Sequence, residues 1–127
     1  MSLRIHTVRA SVAVSDISVA ASFYEGKLGL QAGEEQADDS RLYDCAGGTS
    51  LHVYAAPGST GKAPATLATW YVTDLEQVVD ELISKGVTFE QYDEPRTNAK
   101  GIFASDEVTV AWFKDPDGNT FAIEQHP

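Results

Sequence analysis

Val108-Thr109-Val110-Ala111-Trp112-Phe113-Lys114-Asp115-Pro116-Asp117-Gly118-Asn119-Thr120-Phe121-Ala122-Ile123-Glu124 is two apolar segments joined by the turn sequence Asp-Pro-Asp-Gly-Asn. Pro116 presets φ for the first corner of a turn, and Gly118 and Asn119 tolerate the positive φ that closes it. The flanking segments, Glu107–Lys114 and Thr120–Gln125, are therefore predicted to run back antiparallel as a β-hairpin.

Upstream, Ala68, Trp70 and Val72 alternate with Thr69, Tyr71 and Thr73, the pattern of a strand. Asp74 then stands where an N-cap belongs, and Leu75, Val78, Val79, Leu82 and Ile83 form a helical stripe that ends at Gly86. The same grammar occurs earlier. Val8, Ala10, Val12 and Val14 alternate with Arg9, Ser11, Ala13 and Ser15; Asp16 caps; and Ile17, Val19, Ala20, Phe23, Tyr24 and Leu28 recur at helical spacing up to Gly29. Val14-Ser15-Asp16-Ile17 and Val72-Thr73-Asp74-Leu75 correspond, which predicts an internal duplication. Strand-like stretches follow each helix: Leu30–Glu35, Arg41–Ala46 and Ser50–Ala55, then Val87–Tyr92, Glu107–Lys114 and Thr120–Gln125. Both halves read β-α-β-β-β, which predicts an α+β fold of two tandem modules, at about 6–56 and 66–126, with a Gly- and Pro-rich linker at about 57–65. Residues 93–105 are harder to place. They are polar except for a short strand-like Ile102-Phe103-Ala104, and read either as a loop covering a site or as a floppy insertion.

With 127 residues, positions 1–127 are expected to form one domain. No apolar run approaches the ~20 residues of a membrane-spanning helix, and residues 1–6 lack the apolar core of a secretory signal. A lone Cys45 excludes an internal disulfide. A soluble cytoplasmic protein with no membrane partner is expected. The formal charge of −10 argues against nucleic acid as a partner, since binding that polyanion needs a basic surface. It is compatible with a cationic or neutral ligand, and equally with a role in solubility alone.

Alternation assigns the sheet faces. Val12/Val14, Leu51/Val53, Trp70/Val72 and Phe121/Ile123 should lie under the helices. The opposite face then carries Arg9, Ser11, His52, Tyr54, Thr69, Tyr71, Thr120, Ala122 and Glu124, which either line a concavity or are solvated or covered by a partner subunit.

The duplicated pattern, the Val-x-Asp-Ile/Leu helix starts, Phe23-Tyr24 with Leu28-Gly29-Leu30, and above all Phe113-Lys114-Asp115-Pro116-Asp117-Gly118-Asn119 resemble the vicinal oxygen chelate superfamily, which includes glyoxalase I, extradiol dioxygenases and the fosfomycin and bleomycin resistance proteins. The resemblance covers nearly the whole chain. It implies modules placed side by side in an open, cup-like mixed sheet with the helices outside, commonly completed by dimerisation.

Catalytic relatives hold a divalent metal on His and Glu from the first and last strands of each module. Position by position, the resemblance puts Arg9 at the first His, His52 at the first Glu, Leu67 or Ala68 at the second His and Ala122 at the second Glu. Guanidinium has no lone pair to give, and neither Leu nor Ala coordinates. One imidazole does not make a zinc or iron site, even assisted by Glu124 on the same face. No metal and no cofactor are therefore expected.

Cys45, before Ala46-Gly47-Gly48, reads as a small residue at a strand end, without a nucleophile signature. Arg9 either holds a carboxylate, enolate or phenolate of a ligand, or pairs with Glu124. The sequence predicts a metal-free small-molecule-binding protein, a homodimer that sequesters a drug or metabolite in a cleft of Arg9, His52, Tyr54, Tyr71 and Glu124. Two other readings stand beside it. One is a glyoxalase-like lyase or isomerase with His52 as general base and Arg9 as electrostatic stabiliser; the other is an interaction module without a pocket.

Overall fold

Each α-helix among the described residues starts on an aspartate. In the computed structural model, which describes residues 2–33 and 35–127, the Asp16 carboxylate accepts from the backbone N–H of Ser18 at 2.8 Å and of Val19 at 3.3 Å, and so caps α1 (Ile17–Tyr24). Hydrogen bonds from Ser18 and Val19 hold this carboxyl below its ordinary range. Asp74 caps α2 (Leu75–Ser84) through the N–H of Gln77 at 3.3 Å. Two of the four orphan donors of α1 and one of α2 are thereby satisfied by the residue the alternation singled out.

The strands are β1 (Ala10–Val14), β2 (Gln31–Ala32), β3 (Arg41–Asp44), β4 (Ser50–Ala55), β5 (Ala68–Tyr71), β6 (Ile102–Ala104), β7 (Thr109–Lys114) and β8 (Thr120–Gln125). They form two open four-stranded sheets, β1-β4-β3-β2 and β5-β8-β7-β6. In each, the first and last strands of a module are parallel and the others antiparallel. This is the expected α+β fold of two βαβββ modules, with hydrogen bonding divided between two sheets rather than continuous across one.

Three stretches differ from the pattern. β1 begins at Ala10, and Val8, expected on the buried face, is 92% exposed. Of Leu30–Glu35 only Gln31–Ala32 pairs as a strand, and Glu34 lies outside the described residues. Val87–Tyr92 is not a strand: Phe89 makes a single bridge to Phe113, and the Glu90 N–H donates to the Trp112 carbonyl at 2.8 Å. The chain then leaves the sheet and returns as β6, where Ile102 lies opposite Ala111. The fourth strand of module two is thus one edge strand interrupted by residues 91–101.

That excursion has bonds of its own, which is why its polar sequence does not continue the ladder. Asn98 Oδ1 accepts from the N–H of Lys100 at 2.9 Å and of Ile102 at 3.0 Å, and the Tyr92 N–H donates to the Thr97 hydroxyl at 2.9 Å. Re-entry requires Gly101. Its φ is +85°, and a Cβ there would lie 2.7 Å from the Phe89 Cβ and 2.8 Å from the Glu90 carbonyl oxygen. Lys100 ties the loop to α2 through Glu76 at 3.0 Å and Asp80 at 2.9 Å.

One hydrophobic core draws on both halves: Val12, Phe23, Tyr24, Tyr43 and Val53 from module one meet Leu75, Val79, Phe113 and Phe121 from module two. The Tyr24 ring packs edge-on to Phe121 at 6.0 Å and stacks on Tyr43 at 5.8 Å. Burial of each such aromatic side chain stabilises by about 1.5–3 kcal/mol.

The Asp-Pro-Asp-Gly-Asn turn fastens the modules together. Asp115 is buried, and its carboxylate accepts from the Tyr24 hydroxyl at 2.6 Å, from the Asn119 N–H at 2.8 Å, from Asn119 Nδ2 at 2.8 Å and from the Asp117 N–H at 3.0 Å. Asn119 Nδ2 also donates to the Ala13 carbonyl of β1 at 2.8 Å. Asp117 accepts from the N–H and hydroxyl of Ser15 at 3.0 and 2.6 Å. The linker lies flat on the same turn: the Gly61 N–H donates to Asn119 Oδ1 at 3.2 Å, and a Cβ on Gly61 would overlap the Asp117 carbonyl.

Candidate ligand-binding site

The parallel pair β1–β4 sets Ser11 opposite His52 and Ala13 opposite Tyr54. Side chains of paired residues share a face, and this face is the one turned away from Val12, Val14, Leu51 and Val53 in the core. Arg9 lies just before β1, and its Nε donates to the Ser50 hydroxyl at 2.9 Å. That bond tethers one edge of the guanidinium. No carboxylate lies within ion-pairing distance of it among the described residues.

Arg9 and Ser50 open onto a cleft of about 450 Å³ between the modules. Cys45, Ala46 and Thr49 from the turn between β3 and β4 line one wall, and Thr69, Trp70 and Tyr71 of β5 the other. Tyr71 is 73% exposed. Arg9 and Tyr71 therefore share one space, as their positions in the sequence suggest.

His52 stands one row further along the face. Its ring stacks on Tyr54 with centroids 5.5 Å apart and planes 17° apart. Nε2 lies 3.1 Å from the hydroxyl of Ser40, and Nδ1 lies 3.5 Å from the hydroxyl of Ser11. Ser40 is only 3% exposed, and its hydroxyl donates to Asp38 Oδ1 at 2.6 Å while its N–H donates to the same oxygen at 3.1 Å. Those bonds from Ser40 hold the Asp38 carboxyl below its ordinary range. Since the Ser40 proton points at Asp38, Ser40 accepts from His52, and the neutral ring carries its proton on Nε2.

Glu124 does not join this group. It pairs across β5–β8 with Tyr71, and its Oε1 is 3.4 Å from His126 Nε2, so the expected alternative of an Arg9–Glu124 pair does not form. His126 also meets the Tyr71 ring at 5.9 Å. On module two the inner face is largely closed. Thr120 and Ala122 are buried, and Trp112, directly across from Ala122, packs edge-on against Tyr92 of the 91–101 loop at 5.5 Å. The five anticipated residues thus separate into Arg9 with Tyr71 at the cleft, His52 with Tyr54 on the neighbouring row, and Glu124 with His126 beyond. Sequence reasoning missed Ser40, Asp38 and Ser50. The only local signal was the Asp-x-Ser spacing of 38–40, which favours a side-chain turn without naming its target.

The glyoxalase/bleomycin resistance protein/dioxygenase superfamily model matches residues 4–123. The chain belongs to this superfamily. Among its relatives is the virulence protein STM3117 of Salmonella typhimurium strain LT2, 29% identical over 118 residues that span 89% of this chain and 78% of that protein. A glyoxalase/bleomycin resistance protein from Catenulispora acidiphila superposes with a TM-score of 0.69 at 26% identity, covering 95% of this chain and 98% of that one. TnmS3, an antibiotic binding protein from Streptomyces sp. CB03234, superposes with a TM-score of 0.73 at 23% identity over 99% of this chain and 100% of that one. Among the described residues no helix is long and apolar enough to cross a membrane.

Proposed function

We propose that this superfamily member is a metal-independent small-molecule-binding protein that sequesters a drug or metabolite at the inner face, with Arg9, His52, Tyr54, Tyr71 and Glu124 as its candidate ligand-binding residues. The observation that carries this reading is Arg9, braced by Ser50 at 2.9 Å and unpaired with any carboxylate among the described residues, at the mouth of a cleft of about 450 Å³. In catalytic relatives that position supplies a metal-binding histidine; here it supplies a fixed cation. The residues present do not fit a chelated divalent ion. Leu67, Ala68 and Ala122 offer no donor, which leaves the Nδ1 of His52 as a single imidazole ligand, and among the described residues no three His, Cys, Asp or Glu side chains converge. That TnmS3, with the same fold, is an antibiotic binding protein is in keeping with sequestration.

The chain is proposed to act as a homodimer in the reducing cytoplasm. Leu3, Ile5, Val8, Leu67 and Tyr71 are exposed apolar or aromatic side chains, which supports a covering subunit. Light scattering on a sizing column tests the dimer. Elemental analysis of the dialysed protein, with a thermal-shift screen of metals and metabolites, tests the function. A ligand at a hundredfold excess over Kd stabilises by about 2.7 kcal/mol and is readily seen. Stoichiometric metal surviving dialysis overturns the reading.

The Asp38–Ser40–His52 chain favours one alternative, a lyase or isomerase in which His52 accepts a proton from a substrate stabilised by Arg9. Turnover with a histidine ionisation in its pH profile, lost in His52→Ala, would establish it.

A further inference from the structure

We infer that the site recognises a planar hydroxy acid, with its carboxylate on Arg9 and its hydroxyl donating to Nδ1 of His52; the inference rests on the small-molecule reading above and names the ligand's chemistry. Three observations converge on it. The terminal nitrogens of Arg9 meet no acceptor among the described residues, while Nε is already spent on Ser50. A planar fork with two free donors fits a carboxylate edge-on. This is an unusual provision in a chain of net charge −10, where acidic partners outnumber basic ones.

Next along the face stands an acceptor rather than a second cation. Asp38 accepts from the Ser40 hydroxyl at 2.6 Å, Ser40 accepts from the Nε2–H of His52 at 3.1 Å, and Nδ1 keeps its lone pair. Ser11 approaches it at 3.5 Å, the longest link in the chain and the easiest for a ligand hydroxyl to replace. A ligand with a carboxylate alone satisfies Arg9 and leaves Nδ1 with that weak contact. A ligand with a donor at its far end satisfies both.

The spacing is set by the strand. Arg9 and Ser50 occupy one row and Ser11 and His52 the next on the same face, and rows two residues apart along a β-strand lie about 7 Å from each other. A para-substituted ring separates a hydroxyl from a carboxylate by a similar length. Tyr71, across the cleft from Arg9, supplies aromatic surface for its body, and Tyr54, stacked on the far side of His52, holds the imidazole in place.

Titration calorimetry with 4-hydroxybenzoate, benzoate and methyl 4-hydroxybenzoate tests the inference on the full chain. 4-Hydroxybenzoate is expected to bind about fivefold more tightly than benzoate, the worth of one hydrogen bond of about 1 kcal/mol. The methyl ester, lacking the charge for Arg9, should bind at least tenfold more weakly than the acid, as should the acid to Arg9→Gln. Ser40→Ala should abolish the hydroxyl preference, and Ser40→Thr, which keeps the hydroxyl, should retain it. A circular dichroism melt confirms that each variant is folded. Equal affinity for benzoate and 4-hydroxybenzoate, an unchanged preference in folded Ser40→Ala, or no binding of any of the three overturns the inference. A hit of different chemistry in the wider thermal-shift screen would leave the small-molecule reading standing while removing this one.

Discussion

The hydroxyl of Tyr24 donates a 2.6 Å hydrogen bond to Oδ2 of Asp115, 91 positions away in the chain. It joins the last turn of α1 to the hairpin of module two inside a shared core, where a hydrogen bond to a charged acceptor is shielded from water. Tyr24→Phe keeps the ring and its packing on Tyr43 and Phe121 but removes this donor. We expect a loss of about 1.5–3 kcal/mol in urea denaturation, the range for hydrogen bonds to charged groups. A change under about 0.5 kcal/mol would mean that the bond contributes nothing net.

Alkaline pH reaches the same contact from another side. Burial, then the negative charge of Asp115 and its hydrogen bond, push the Tyr24 hydroxyl far above its ordinary value of 10.0. Burial and then Glu25, which accepts from it at 2.9 Å, push Tyr43 upward too. The folded chain holds both protons more tightly than the unfolded one. Their contribution to stability is therefore complete below about pH 10 and declines as pH rises beyond it. Of five tyrosines, two should ionise only as the protein unfolds, which phenolate absorbance followed together with circular dichroism will reveal.

Gly101→Ala should destabilise. The position combines a φ of +85° with a Cβ contact of 2.7 Å to the Phe89 Cβ and 2.8 Å to the Glu90 carbonyl oxygen, so the substitution strains the backbone and pushes on the chain beside a buried residue. A loss of about 1–3 kcal/mol is expected from thermal or chemical denaturation. Gly101 is the residue through which the interrupted edge strand is resumed, and β6 should loosen with it, visible as faster amide exchange at Phe103.

Lys100→Gln should free the loop without unfolding the protein. The ammonium bridges Glu76 and Asp80 at 3.0 and 2.9 Å, but all three groups are solvent-facing, where such pairs contribute little to global stability. Limited proteolysis should then cut within 91–101 faster than in the parent chain, with the thermal midpoint unchanged.

Much of this architecture was legible because local signals and tertiary packing agreed. Asp16 and Asp74 cap the helices they precede, and β4 and β8 occupy the ranges read from alternation. Val87–Tyr92 misled because its apolar residues, Val87 and Phe89, are buried with strand-like spacing although only Phe89 pairs. Alternation reports which side chains are buried, not whether the backbone finds a partner. At the candidate site, the common face of Ser11, Ala13, His52 and Tyr54 was legible from parity along two strands. Ser40 and Asp38 were not, since they reach His52 from a polar stretch whose tertiary placement no periodicity encodes. Glu124 carried the right parity, but the adjacent His126 captured it.

The two hairpin turns of the repeat have diverged in what they do. Asp115–Asn119 is closed hard against β1 and α1 of the other half, while its counterpart, Cys45–Thr49, stands off from β5 and leaves the cleft beside Arg9. A doubled unit whose halves clasped each other alike would be filled on both sides and have nowhere to receive a guest. Broken symmetry gives this chain a rigid end and a vacant one: the repeat secures the scaffold, and its imperfection makes the room.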